Sequence, residues 1–153
     1  MKIKIRNGSV CSIETIESVE KVLGYQFATD YREFVQQYNG GYPEEPSFDV
    51  KAANSTSGIE NFILVEEIQE AKARIDGLPD NAVPIVRASC GDIVFINKDN
   101  DQIFYWDHEE EPGIHFLAKT FSEFLDMLYP EPDVGEPIGK ITFSNPNFKP
   151  KFK

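Results

Sequence analysis

Residues 31–43, Tyr-Arg-Glu-Phe-Val-Gln-Gln-Tyr-Asn-Gly-Gly-Tyr-Pro, constrain the fold more than any other stretch of this chain. Tyr31, Phe34, Val35 and Tyr38 recur at helical spacing, while Arg32, Glu33, Gln36 and Gln37 take the other side, so the spacing predicts a helix with one apolar face that must be buried. Asn39, Gly40 and Gly41 tolerate φ > 0 and let the backbone reverse, and Pro43 keeps the helix from resuming. The second glycine is more than one C-cap needs. It has two readings, a neighbouring backbone passing close by or a flexible loop.

Around this helix the other elements can be placed in order. Met1 to Val10 alternates weakly around Ile3 and Ile5 and reads either as an edge strand or as an unpaired arm. Ile13, Ile16, Val19 and Leu23 predict a first amphipathic helix, with Ser12 as N-cap, Glu14 and Glu17 favourable to its dipole and Gly24 as C-cap. Ser47 to Val50 and Asn61 to Val65 are strand candidates, separated by the small-polar run from Ala53 to Gly58, which reads as an exposed loop. A third helix is expected over about Glu66 to Ile75. Val83 to Ala88, Ile93 to Asn97, Ile103 to Asp107 and Ile114 to Ala118 then follow at strand length with turn formers between them, which predicts an antiparallel meander. Thr120 caps a last helix through Leu128, with Phe121, Phe124, Leu125 and Leu128 on one face and Glu123 at the capping-box position.

Two helices followed by strands and further helices give an α+β fold, with one mostly antiparallel sheet of about six strands. The 153 residues fit a single domain over 1–136 and a basic tail over 137–153. That tail holds Ile141, Phe143, Phe148 and Phe152, too apolar for a solvated linker, and is expected to lie along the body with Ile141 to Phe143 pairing at a sheet edge. No apolar run approaches the ~18 residues of a membrane span and Met1 to Val10 has no apolar core of a signal peptide, so a cytoplasmic location is expected. Cys11 and Cys90, far apart and outside any CxxC spacing, fit reduced thiols there.

Charge bears on partners. The chain carries −11, and because residues 137–153 contain four lysines and no acid, the remaining residues carry −15. Such a body repels nucleic acid and anionic lipid and complements a basic protein.

Four segments together resemble a known family. Residues 27–34, Phe-Ala-Thr-Asp-Tyr-Arg-Glu-Phe, running into Asn39-Gly40-Gly41, are similar to the "LP-x-x-Y-x-x-F … NGG" signature of the SUKH superfamily, the Smi/Knr cell-wall-assembly-regulator type. Val83-Pro84-Ile85 with Cys90-Gly91-Asp92, the aromatic run Phe104-Tyr105-Trp106-Asp107-His108, and Leu117 to Leu125 match its later strands, turn and helix. Phe27-Ala28 stands where the family favours Leu-Pro, and Cys90 replaces one glycine of its Gly-Gly-Asp turn. The resemblance implies helices packed around one highly curved sheet and a non-enzymatic, protein-binding role. Bacterial members resemble immunity proteins that block a secreted toxin, often a nuclease, and a fungal relative regulates cell-wall synthesis. A nuclease must be basic to hold phosphates, so an acidic inhibitor suits it.

An enzyme would need a nucleophile with a base in reach. Cys90 with His108 or His115 is the one such pairing, and it lacks a recognisable elbow or oxyanion motif. Asp107 to Glu111 reads as a solvated turn without metal-ligand spacing, and the Asp99-Asn100-Asp101 triplet fails as a calcium loop, since Ile103 and Phe104 occupy required positions. No phosphate loop or dinucleotide fingerprint is present, and no cofactor is expected. The leading expectation is therefore an immunity protein with a basic toxin domain as partner, followed by an adaptor in envelope synthesis and, last, a Cys-His hydrolase. Candidate partner-binding residues are Glu44, Glu45, Asp99, Asp101, Tyr105, Trp106, Asp107, Glu109, Glu110 and Glu111, with one of the two rings facing outward as an anchor amid carboxylates.

Overall fold

A computed structural model describes residues 3–131. The arm at the start carries β1 (Ile5–Arg6), followed by α1 (Ile13–Leu23), α2 (Thr29–Tyr38) and β2 (Tyr42–Pro43). Next come β3 (Ser47–Val50), a 3-10 turn (Lys51–Ala53), β4 (Ser55–Phe62), a second 3-10 turn (Val65–Glu67) and α3 (Ile68–Arg74). β5 (Ala82–Ala88), β6 (Ile93–Asn97), β7 (Ile103–Trp106), β8 (Ile114–Ala118) and α4 (Phe121–Asp126) complete the described chain. No helix among these residues is long and apolar enough to cross a membrane.

The caps read from sequence hold. Ser12 Oγ accepts from Thr15 N–H at 3.1 Å, Gly24 closes α1 in the left-handed region, and Thr120 Oγ1 accepts from Glu123 N–H at 3.1 Å. Glu123 reaches back to the N–H of Lys119 at 3.0 Å. α2 has no side-chain cap of its own. Its Asp30 instead spans to α4, where Oδ2 accepts from both the N–H and the hydroxyl of Ser122 at 3.0 Å. Glu20 ties α1 to the following loop, accepting from Phe27 N–H at 2.9 Å beside the Arg32 guanidinium.

β3 to β8 form one six-stranded antiparallel sheet in sequence order, and β1 pairs with β2 in a separate small sheet. The expected α+β architecture and meander are thus present, with β3 and β4 joining the four later strands. One segment differs: residues 55–58, expected in an exposed loop, belong to β4, whereas the strand expected at Asn61 to Val65 ends at Phe62. Ser55 and Thr56 are exposed and are recruited by backbone pairing with Val50 and Asp49, which requires no apolar side chain. The third helix opens with a 3-10 turn, and the last stops at Asp126 instead of Leu128.

Tyr31, Phe34 and Val35 are buried and Tyr38 is half-buried, as the helical period requires, while Ile13 on α1 is exposed. Phe34 meets Phe62 and Phe121 at ring-centroid distances of 4.7 and 5.0 Å, joining α2, β4 and α4. The sheet curves strongly: Tyr105 on β7 meets Phe48 on β3 at 5.9 Å and Ser57 Oγ on β4 at 3.1 Å, across strands that are not neighbours. Its outer face has a second core of Ala82, Ile93, Phe95 and Trp106, covered by Ile75 and Leu78.

The arm settles the two-glycine exit. A Cβ on Gly41 would lie 2.7 Å from the carbonyl oxygen of Arg6 and 3.0 Å from Gly8 Cα, so a backbone does pass there and β1 is the strand that passes. The expectations for 137–153, including pairing by Ile141 to Phe143, lie outside the described residues.

Candidate functional site

The best-defined polar surface is the loop between β7 and β8, residues 107–113, where Glu109, Glu110 and Glu111 are exposed. Its backbone is fixed. Asp107 N–H donates to Gly113 C=O at 2.8 Å, Glu110 N–H to Asp107 C=O at 3.1 Å, and Asp107 Oδ1 accepts from Glu109 N–H at 2.9 Å. Gly113 closes the turn at φ +70°, where a Cβ would strike Asp107 O at 2.3 Å. Glu110 is further held by His115 Nε2 at 2.7 Å.

Beneath this loop lies a network that sequence reading did not assemble, centred on the buried Asp92. Its Oδ1 accepts from His108 N–H at 3.2 Å and lies 2.7 Å from His108 Nδ1, and its Oδ2 takes the hydroxyl of Tyr105. The hydrogen bond to Asp92 is the main cause that raises the His108 pKa above its ordinary value. Burial, followed by the Asp92 hydrogen bond, drives the Tyr105 phenol upward. Asp92 was visible in the Cys90-Gly91-Asp92 turn, but its partners come from the pairing of Ile93 with Trp106, a register that spacing alone does not reveal.

Ligand-capable atoms of Asp92, Asp107 and His108 lie within 4.8 Å of one another. Because both Asp92 oxygens and His108 Nδ1 already have hydrogen-bond partners, the group acts chemically as an internal clamp on the loop. Cys90 is exposed on the adjoining turn at φ +63°. The histidine rings are engaged with Asp92 and Glu110, and neither is hydrogen-bonded to the Cys90 thiol among the described residues.

The remaining candidates disperse. Asp99 and Asp101 sit on the β6–β7 turn, at the end of β7 opposite the 107–113 loop, with Asp101 accepting from the Tyr25 hydroxyl. Glu44 and Glu45 are exposed beside the arm, and Glu44 pairs with Arg6 at 2.9 Å. The two rings correct the expectation that one faces outward. Tyr105 and Trp106 do point to opposite faces, but they are only 6% and 7% exposed because both faces of β7 are covered. Tyr105 belongs to the main core and Trp106 to the outer one.

A family model described as SUKH_6, SMI1-KNR4 cell-wall, matches residues 13–125. The chain belongs to this family. The SMI1-KNR4 segment runs from the start of α1 to near the end of α4, so it includes the whole curved sheet and leaves out the arm and the basic tail. The chain is also similar to a SPbeta prophage-derived uncharacterized protein, YokK, of Bacillus subtilis, with 27% identity over 152 aligned positions covering 83% of this chain and 79% of that protein.

The geometry gives physical content to the motifs of this SMI1-KNR4 chain. Asn39 is buried and uses its side chain twice, accepting from Val65 N–H at 2.8 Å and donating to Glu66 at 2.7 Å. Its backbone N–H and C=O both bond to Ser9, at 2.9 Å each. The Asn39-Gly40-Gly41 run is therefore a structural junction of arm, α2 and the start of α3.

Proposed function

We propose that this protein is a non-enzymatic immunity protein that binds a basic toxin domain, a nuclease being the suitable class, and holds it inactive in the cytoplasm. The observation that carries this reading is the 107–113 loop, three exposed carboxylates on a backbone fixed by hydrogen bonds, on a body charged −15. Preorganised carboxylates lose little freedom on binding and accelerate encounter with a cationic surface. Tyr105 and Trp106 serve binding from beneath by holding that loop, while Glu44, Glu45, Asp99 and Asp101 add to the long-range field. Family membership supports a protein-binding role.

The test is the triple replacement of Glu109, Glu110 and Glu111 by lysine. Association with a cognate basic toxin domain should slow at least about tenfold at low salt, with thermal stability nearly unchanged. Unaltered association kinetics at low salt would remove the loop from the interface. A second reading, an adaptor in envelope synthesis, draws on the cell-wall association of the SMI1-KNR4 family, and a neighbouring set of wall-synthesis genes in place of a toxin gene would favour it.

A further inference from the structure

The outer face of the sheet carries two apolar rows that run across β6, β7 and β8. Register sets Phe95, Phe104 and Phe116 side by side in one row, and Ile93, Trp106 and Ile114 in the other. Ring contacts follow the first row, with Phe95 stacked on Phe104 at 5.6 Å and Phe104 meeting Phe116 edge-on at 5.8 Å. Exposure rises along both rows. Phe95 and Ile93 are buried in the outer core under Ile75 and Leu78, Phe104 is half-buried, and on β8 Ile114 and Phe116 reach 38% and 44%. The cover thins at β7, where Gly77 passes Trp106 without a side chain and a Cβ would lie 3.5 Å from the indole. The 3-10 turn at Lys51–Ala53 and β3 lie beside the edge of β8, so the apolar opening among the described residues is on the face of the strand and not along its backbone.

A contiguous apolar patch on a charged protein marks an interaction site. Here its side chains stand on two paired strands, so they lose little freedom on contact. Acidic turns bracket it. The loop with Glu109, Glu110 and Glu111 runs directly into Ile114, and the turn with Asp99 and Asp101 leads into β7 just before Phe104. Charge selects the occupant. A second copy would bring these carboxylates, and a body of −15, against their own kind, whereas a basic domain would find opposite charge on either side of an apolar contact.

We propose that Phe104, Ile114 and Phe116 are the apolar anchor on which a basic protein partner docks, with the two acidic turns as its rim. Phe104 and Phe116 thereby supply the aromatic anchor that the covered rings of Tyr105 and Trp106 do not present. The identity of the partner rests on the immunity reading, which this assignment deepens: the 107–113 loop sets the rate of encounter, and the patch sets the lifetime of the complex.

The experiment follows association and dissociation of a purified cognate basic toxin domain on the full chain and on its Ile114→Thr/Phe116→Thr variant, which keeps residues suited to a strand. The variant complex should dissociate at least about tenfold faster, with association within about twofold of native. Native-like dissociation would overturn the anchor, and if the lysine replacement of Glu109, Glu110 and Glu111 still slows association, the immunity reading stands without it. No complex between the toxin domain and the native chain would refute both. Should the variant melt well below the native chain, a fluorophore at Phe116→Cys in a Cys90→Ser chain gives a separate answer. Its emission should shift as the toxin domain binds, and unshifted emission in a formed complex would sink the idea. A native dimer that the paired threonines make monomeric would assign the face to a second copy and equally refute the proposal.

Discussion

Asn39 accepts a 2.8 Å hydrogen bond from the buried backbone N–H of Val65, so the residue that ends α2 also organises the turn that begins α3. Removing the amide leaves that N–H and the Glu66 contact without a partner, at a spot closed by Leu64 and the arm. Asn39→Ala should therefore cost about 2–3 kcal/mol, the range for an unsatisfied buried donor plus a lost bond. Urea unfolding measures it, and a loss below about 0.5 kcal/mol would show that the junction is held by the backbone alone.

Phe34 sits where three elements meet, with rings of Tyr38, Phe62 and Phe121 within 5.5 Å of its own. Truncation to alanine should cost ~3–5 kcal/mol, a large part of a domain's ~5–15. Thermal melting checks this, and an unchanged midpoint would mean that α2 does not pack through this face.

His108 should titrate above the ordinary histidine value of 6.5, since Asp92 favours its charged form. A raised folded-state pKa gives stability that is complete below the unfolded value near 6.5 and is lost as pH rises through the folded value. The stability advantage of the native protein over His108→Gln should thus be larger at pH ~5.5 than at pH ~9. Trp106, the one tryptophan, lies with its ring 6.2 Å from that of His108 and offers an independent readout. Its emission should shift with a midpoint above 6.5 that His108→Gln abolishes, and a midpoint at or below 6.5 would contradict the Asp92 pairing.

The two thiols should separate in a reactivity assay. Cys90 is exposed, whereas Cys11 is 7% exposed and its thiol is pushed upward first by burial. One fast equivalent is expected in the native protein and a second only on unfolding. Two fast equivalents would show that the arm opens readily.

Much of this was legible because the signals were local. α1, α2 and α4 announced themselves through apolar period and through Ser12, Gly24 and Thr120, each of which acts within one turn. β4 was not legible in Ser55 to Gly58, since a strand recruited by its neighbour's backbone has no need of an apolar pattern. The burial of both Tyr105 and Trp106, where one exposed ring was expected, has a related reason that shows at Trp106. Alternation assigns it to the outer face of β7, but only the tertiary fold reveals that Ile75 and Leu78 cover that face. The acidic loop was visible as a run of carboxylates, while its anchorage through Asp92 depends on strand register.

The bond from Asp30 to Ser122 joins positions 92 apart in the chain. During synthesis, α1 and α2 leave the ribosome long before α4 exists, and the aromatic face of α2 must wait for Phe121. The later strands have no such delay, because β5 to β8 each pair with the next across a short turn and can zip hairpin by hairpin, while β4 joins β5 only across α3. Folding is therefore expected to run against the order of translation, with the meander forming first and the N-terminal helices docking last, once the final helix has emerged.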